Sequence, residues 1–85
     1  MMLQSPMKED TTYNGWSNYE TWNVALYIQN EEGLYHMARD YRHLGYQQFA
    51  EMMKEDCNSY ETPDGVAWTD SALDYDELNE MMEDL

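Results

Sequence analysis

Gly15-Trp16-Ser17-Asn18-Tyr19-Glu20-Thr21-Trp22-Asn23-Val24-Ala25-Leu26 is the stretch that decides the fold class. Ser17-Asn18-Tyr19-Glu20 has the form of a capping box, in which the Ser17 hydroxyl takes the Glu20 amide and Glu20 reaches back. Asn14-Gly15 immediately before it is a turn signal. Past the cap, Tyr19, Trp22, Ala25 and Leu26 mark one helical face, and Val24 and Ile28 add apolar surface on another. A helix apolar around most of its girth belongs inside a bundle. The spacing therefore predicts a buried central helix over 18–29.

A second helix is expected over 31–44. Asn30 is placed to cap it, and Glu31 and Glu32 suit the positive end of its dipole. Leu34, Met37, Ala38, Tyr41 and Leu44 recur at helical spacing, and Gly45 follows where helices favour a stop. Gly33 in the first turn is unfavourable for a helix. Tyr46, Phe49, Ala50, Met53 and Cys57 repeat the pattern and predict a third helix over 46–57, joined to the second by a tight connection.

Thr62-Pro63-Asp64-Gly65 suits a type I turn. Val66-Ala67-Trp68 is expected to be at most a minimal extended segment at 66–68, with Thr11-Thr12-Tyr13 as its candidate partner. The last helix is expected over 75–84. Asp74 and Glu77 form an Asp version of the capping box, and Leu73 with Leu78 makes a hydrophobic staple. Leu78, Met81, Met82 and Leu85 then form a narrow apolar stripe. The expected architecture is all-α: a small bundle of about four helices over 13–85, preceded by a flexible tail at 1–12. The expected core is Trp16, Tyr19, Trp22, Leu26, Leu34, Met37, Tyr41, Phe49, Met53, Trp68 and Leu78.

Composition alone points the other way. Among 85 residues, Asp and Glu number 18 against four Lys and Arg, a formal net charge of −14. Leu, Ile, Val and Phe together number only 11, a proportion that with such charge usually signals disorder. Eight Met, eight Tyr and three Trp supply the missing bulk; each aromatic can bury about 150–250 Å², and Met fills irregular gaps. A pI near 4.1 excludes direct binding to nucleic acid, which needs a basic stripe. It also disfavours an anionic membrane surface. No apolar run reaches membrane-spanning length, and the N-terminus lacks a signal-peptide pattern. Cys57 is the single cysteine, so no intrachain disulfide is expected, in keeping with a cytoplasmic setting.

No catalytic constellation stands out, and neither an enzyme nor a cofactor is expected. His36 and His43 are seven residues apart on one expected helix, about 10 Å along its axis, too far to share a metal. Glu32, His36 and Asp40 read as a solvated face. Cys57, beside Glu55 and Asp56, reads as structural and partly buried. Asp70, Asp74 and Asp76 do not meet the calcium-loop template, which places Gly at the sixth position and Glu at the twelfth. No metal site is expected.

The distribution of acids carries more. Residues 1–54 hold seven acids and four bases, whereas residues 55–85 hold eleven acids and no base. Glu77, Glu80 and Asp84 stand at i, i+3 and i+7 on one helix face, at axial steps of about 4.5 and 6 Å. Asp70, Asp74, Asp76, Glu77, Glu80, Glu83 and Asp84 are the candidate partner-binding face, with Tyr60, Tyr75, Met81 and Met82 as anchors. The plain alternative is a solvated face that keeps a small protein soluble. Self-repulsion works against that reading in a domain with little stability to spare.

The element from Gly15 to Leu26, followed by Asn30-Glu31-Glu32-Gly33-Leu34-Tyr35, resembles a group of small uncharacterised proteins carried by bacteriophages and other mobile elements. Gly65-Val66-Ala67-Trp68 and Leu78-Asn79-Glu80-Met81-Met82 look like the end of the same proteins. The resemblance implies a setting in a bacterial host cytoplasm and brings no activity to any residue. Two functions are then expected to compete. One is a DNA-mimic-like protein that binds and inhibits or modulates a host nucleic-acid-handling protein through that protein's basic surface, as an anti-CRISPR or anti-restriction factor would. The other is a structural or adaptor module, or a homodimer, using Met81, Met82 and Leu85 as a helix seam.

Overall fold

Asn18, in extended conformation, begins the first helix: its side-chain oxygen accepts the Thr21 N–H at 2.8 Å. The cap therefore falls one residue later than the expected Ser17, whose side chain is engaged elsewhere. The computed structural model describes residues 12–85; the tail expected at 1–12 lies, except for Thr12, outside the described residues. Helix α1 spans Tyr19–Asn30, α2 Glu32–Tyr41, α3 Tyr46–Glu55 and α4 Tyr75–Glu83. The protein is a small all-α bundle in which α1 packs on α2 and α4, and α3 on α2 and α4.

The core is built from Val24, Ala25 and Ile28 of α1, Ala38 of α2, and Tyr46, Phe49, Ala50 and Met53 of α3. Leu78, Met81 and Met82 of α4 join them, with Val66, Trp68 and Leu73 from the long connection before α4. Phe49, Met53, Trp68 and Leu78 are thus core as expected. Trp16, Leu34, Met37 and Tyr41 are half-buried and pack against that core from outside. The first helix turns a different face inward from the one its aromatics suggest. Tyr19 is 39% exposed and Trp22 and Leu26 are half-buried, while Thr21 and Asn23 are fully covered. Hydrogen bonds that Thr21 accepts from Asp74, and that Asn23 accepts from Thr62 and donates to Asp64, hold that rotation. The displaced rings stack on one another instead: Tyr13 lies 4.7 Å from Trp22 and 5.4 Å from Tyr19.

Helix boundaries shift where local chemistry prevails over periodicity. Asn30 belongs to α1 and returns its amide to the Leu26 carbonyl, so Glu31 caps α2 by accepting the Gly33 N–H. Helix α2 stops at Tyr41, whose carbonyl takes both the Leu44 and Gly45 N–H groups. Leu44 is consequently 54% exposed. Gly45 has φ +95°, a backbone state that suits glycine. No side chain of its own segment caps α3; Asn79 of α4 does so, accepting the Tyr46 N–H at 2.7 Å. Helix α3 ends at Glu55, and Cys57 lies beyond it, exposed rather than partly buried.

The 66–68 segment pairs with 60–62, while Tyr13 of the expected partner pairs with Trp16 and Thr11 lies outside the described residues. Thr62 N–H donates to Val66 O at 2.8 Å and Trp68 N–H to Tyr60 O at 3.0 Å. The Thr62–Gly65 turn, closed at 2.8 Å, brings these two segments together at minimal loop length. Tyr13 pairs with Trp16 across Asn14-Gly15, both at positive φ, as a two-residue I′ turn requires. No described helix is long and apolar enough to cross a membrane.

Candidate functional site

Four hydrogen bonds tie the start of α1 to the start of α4, and all of them use the Ser17–Thr21 segment. Ser17 N–H donates to Glu77 Oε1 at 2.8 Å, and the Ser17 hydroxyl to Asp74 Oδ2 at 2.7 Å. Asn18 donates its amide to the Ala72 carbonyl at 2.6 Å while capping its own helix at 2.8 Å. Asp74 N–H donates to Thr21 Oγ1 at 2.9 Å. The capping box expected at Asp74 is half-formed: Asp74 Oδ1 accepts the Glu77 N–H at 3.2 Å, but the Glu77 side chain turns to Ser17. The Ser17 hydroxyl, aided by the Glu77 N–H, holds the Asp74 carboxyl below its ordinary value.

A second buried polar cluster sits beside the Thr62–Gly65 turn. Asn23 accepts the Thr62 hydroxyl at 2.7 Å and donates to Asp64 Oδ2 at 2.8 Å. Val66 N–H donates to Thr62 Oγ1 at 3.2 Å. Desolvation first, and then the Asp64 carboxylate, raise the Tyr27 phenol above its usual value. Deeper in the core, the Tyr46 hydroxyl donates to the Trp68 carbonyl at 2.6 Å. Burial, with Tyr75 second, pushes that phenol far above its usual range, so it stays neutral.

The expected acidic face therefore divides. Asp74 and Glu77 are half-buried and hold the two helix starts together. Asp70 is half-buried and closes a turn by accepting the Ala72 N–H. Asp76, Glu80, Glu83 and Asp84 are exposed. Of the expected anchors, Tyr60 stands 59% exposed. Tyr75 is half-buried, packing edge-on against Tyr46 at 5.3 Å. Met81 and Met82 are buried in this chain's own core, with Leu85 packed against it, and Met81 also lines a groove beside Glu77 and Glu80. The seam expected from these three residues is thus occupied within the chain, because α4 must cover α1 and α3.

Glu77, Glu80 and Asp84 do come together. They border a groove of about 300 Å³ whose opposite wall is Gly15, Trp16 and Gln29. The I′ turn at Asn14-Gly15 delivers Trp16 to this wall, so a residue expected only as core also has an accessible flank. Gln29 was not expected here, and no local pattern in α1 marks it. Among the described residues no Lys or Arg lies within ion-pair distance of these carboxylates. A second, more apolar groove of about 430 Å³ lies between α2, α3 and the 59–63 segment, over Leu34, Met37, Met53 and Trp68.

The histidine face behaves as a solvated one: His36 Nε2 is 3.9 Å from Glu32 Oε2, both largely exposed. No three His, Cys, Asp or Glu side chains converge on a metal position among the described residues. A family model matches residues 9–85, from just before the I′ turn through α4. The chain belongs to DUF7249, a family of unknown function. No curated protein and no solved structure matches this DUF7249 chain.

Proposed function

We propose that this DUF7249 protein binds a basic, nucleic-acid-binding surface of a host protein and inhibits or modulates that protein. The reading fits a phage or mobile-element product of the anti-CRISPR or anti-restriction kind, acting as a DNA mimic in a bacterial cytoplasm. The observation that carries it is the groove at α4, where Glu77, Glu80 and Asp84 stand, among the described residues, without a base against the flank of Trp16. A guanidinium or ammonium entering there meets carboxylates and an aromatic flank together. The wider field supports the same partner: eleven acids and no base over 55–85 attract a basic surface at long range and speed encounter.

Glu80 and Asp84 are the residues to test, since Glu77 also supports the fold. The protein immobilised on resin and exposed to host lysate should retain a basic nucleic-acid-binding protein at 50 mM salt. It should release that protein by 500 mM. Glu80→Lys/Asp84→Lys should lose capture while keeping the wild-type circular dichroism spectrum. Capture indifferent to salt, or undiminished in the double variant, would overturn the reading.

A further inference from the structure

Beyond the end of α3 the chain reverses through Asn58, at φ +52°. The Asp56 and Cys57 N–H groups both point back to the Met52 carbonyl, at 2.8 and 3.4 Å. This turn brings the Cys57 thiol into contact with two thioethers from different helices. Cys57 Sγ lies 3.6 Å from Met52 Sδ of α3 and 3.9 Å from Met37 Sδ of α2. Both methionines are half-buried, and the thiol is exposed. Methionine sulfur in a core often packs at an aromatic ring edge. Here two of them turn their sulfurs to the same accessible thiol.

Three soft donors and no hard one define the chemistry. Thiolate and thioether ligands select Cu(I), whereas zinc sites call on four nitrogen, thiolate or carboxylate ligands. With metal–sulfur bonds of about 2.3 Å, three sulfurs in a trigonal plane stand about 4.0 Å apart. The two separations from Cys57, 3.6 and 3.9 Å, are close to that spacing. Glu55 and Asp56, adjacent in sequence, favour a cation over a neutral ligand, with Lys54 and Arg39, each two residues from a methionine of the cluster, acting against them.

We propose that Cys57, Met37 and Met52 form a site for a monovalent soft cation, Cu(I). Binding forms one Cu–thiolate and two Cu–thioether bonds, releases the Cys57 proton to solvent and leaves the copper oxidation state unchanged. The proposal is independent of the acidic groove, which lies on α4.

The test is an anaerobic titration of the full chain with Cu(I) against the chromophoric chelator bathocuproine disulfonate, with ascorbate as reductant. The wild type should hold one equivalent. Cys57→Ser should abolish that competition, and Met37→Leu and Met52→Leu should each weaken it by about tenfold or more. The Leu variants conserve volume, and circular dichroism checks that they fold. A Met37→Leu/Met52→Leu double variant binding within twofold of wild type would reduce the site to a lone thiol and overturn the proposal. So would a wild type that fails to compete, or one that takes Zn(II) as readily as Cu(I).

Discussion

Removing the Asn23 carboxamide should be among the most damaging changes available to this protein, although no apolar atom need be lost from its core. Asn23 is fully covered and Thr62 is 2% exposed. In Asn23→Ala the bond to the Asp64 carboxylate goes, which costs about 1.5 kcal/mol for a charged acceptor at an exposed position. The Thr62 hydroxyl, 2.7 Å from Asn23 Oδ1, is left buried without its acceptor, which costs about another 1.5 kcal/mol. The sum of about 3 kcal/mol stands against a total of roughly 4–13 kcal/mol for a chain of this length. For a domain of this size it should lower Tm by about 12–24 °C. Urea unfolding followed by circular dichroism measures the loss directly. Thr62→Val removes the stranded hydroxyl, so the double variant should cost at least about 1 kcal/mol less than the two singles added. An Asn23→Ala cost below about 0.5 kcal/mol, or strict additivity with Thr62→Val, would refute the account.

Asp74 contributes stability that is fully present above the ordinary carboxylate value near 3.8 and is lost as pH falls through its own lowered pKa. Ser17→Ala removes the main cause of that lowering. The stability difference between wild type and Ser17→Ala should therefore be full at neutral pH and shrink below pH 4, read by urea midpoints across a pH series; a difference unchanged down to pH 2 would contradict it. Gly45→Ala should cost about 1–3 kcal/mol for its backbone state, since φ is +95° and a Cβ there would sit 3.4 Å from Asn79 Oδ1. Gly33→Ala, inside α2 where a Cβ would meet Glu31 Oε1 at an ordinary contact distance of 3.5 Å, should instead stabilise by about 0.4–1 kcal/mol; thermal melts of the pair test both signs. Leu44→Gln should change stability by less than about 0.5 kcal/mol, whereas a place on the packed stripe of α2 would make it cost several-fold more.

Helices were legible because their signals are local. Asp74 before an acidic first turn, Gly45 after Tyr41, and the i, i+3, i+4, i+7 run from Tyr46 to Met53 each report on a few consecutive residues, and α2, α3 and α4 appear where these point. The face that α1 buries was not legible. Tyr19, Trp22 and Leu26 present the larger apolar surface, yet Thr21 and Asn23 go inside because their partners are Asp74, Thr62 and Asp64, 39–53 residues away. Pattern reading weighs a side chain by its own polarity and has no access to a distant partner that cancels the cost of burying it. Asn79 was missed for the same reason, since the α3 N–H that it caps belongs to another helix. The row Glu77, Glu80 and Asp84 was legible as a row, whereas the wall opposite it, Trp16 and Gln29, depends on how α1 and α4 are held together.

A net charge of −14 raises a physical question that the polar clusters answer in part. Carboxylates repel one another, and a chain this short has little hydrophobic stabilisation to set against that. Three of the eleven acids beyond residue 54 are employed as acceptors for another helix or turn: Asp64 for Asn23, Asp74 for Ser17, and Glu77 for the Ser17 N–H. The Ser17 hydroxyl stabilises the ionised form of Asp74, and the two charges that would weaken the fold at the helix starts, Asp74 and Glu77, are the ones that join them. Glu80, Glu83 and Asp84 have no such use. They crowd the last turns of α4, where the helix dipole is itself negative and acids are least favourable. Helix stability therefore does not account for them, and solubility alone would be met by acids placed anywhere. What the position of Glu80 and Asp84 does achieve is to border the groove beside Trp16 with charge that meets no base among the described residues. The outward acids and the inward ones must be mutated separately for that reason: losing Asp74 or Glu77 would report on folding, and only Glu80 and Asp84 can report on a partner.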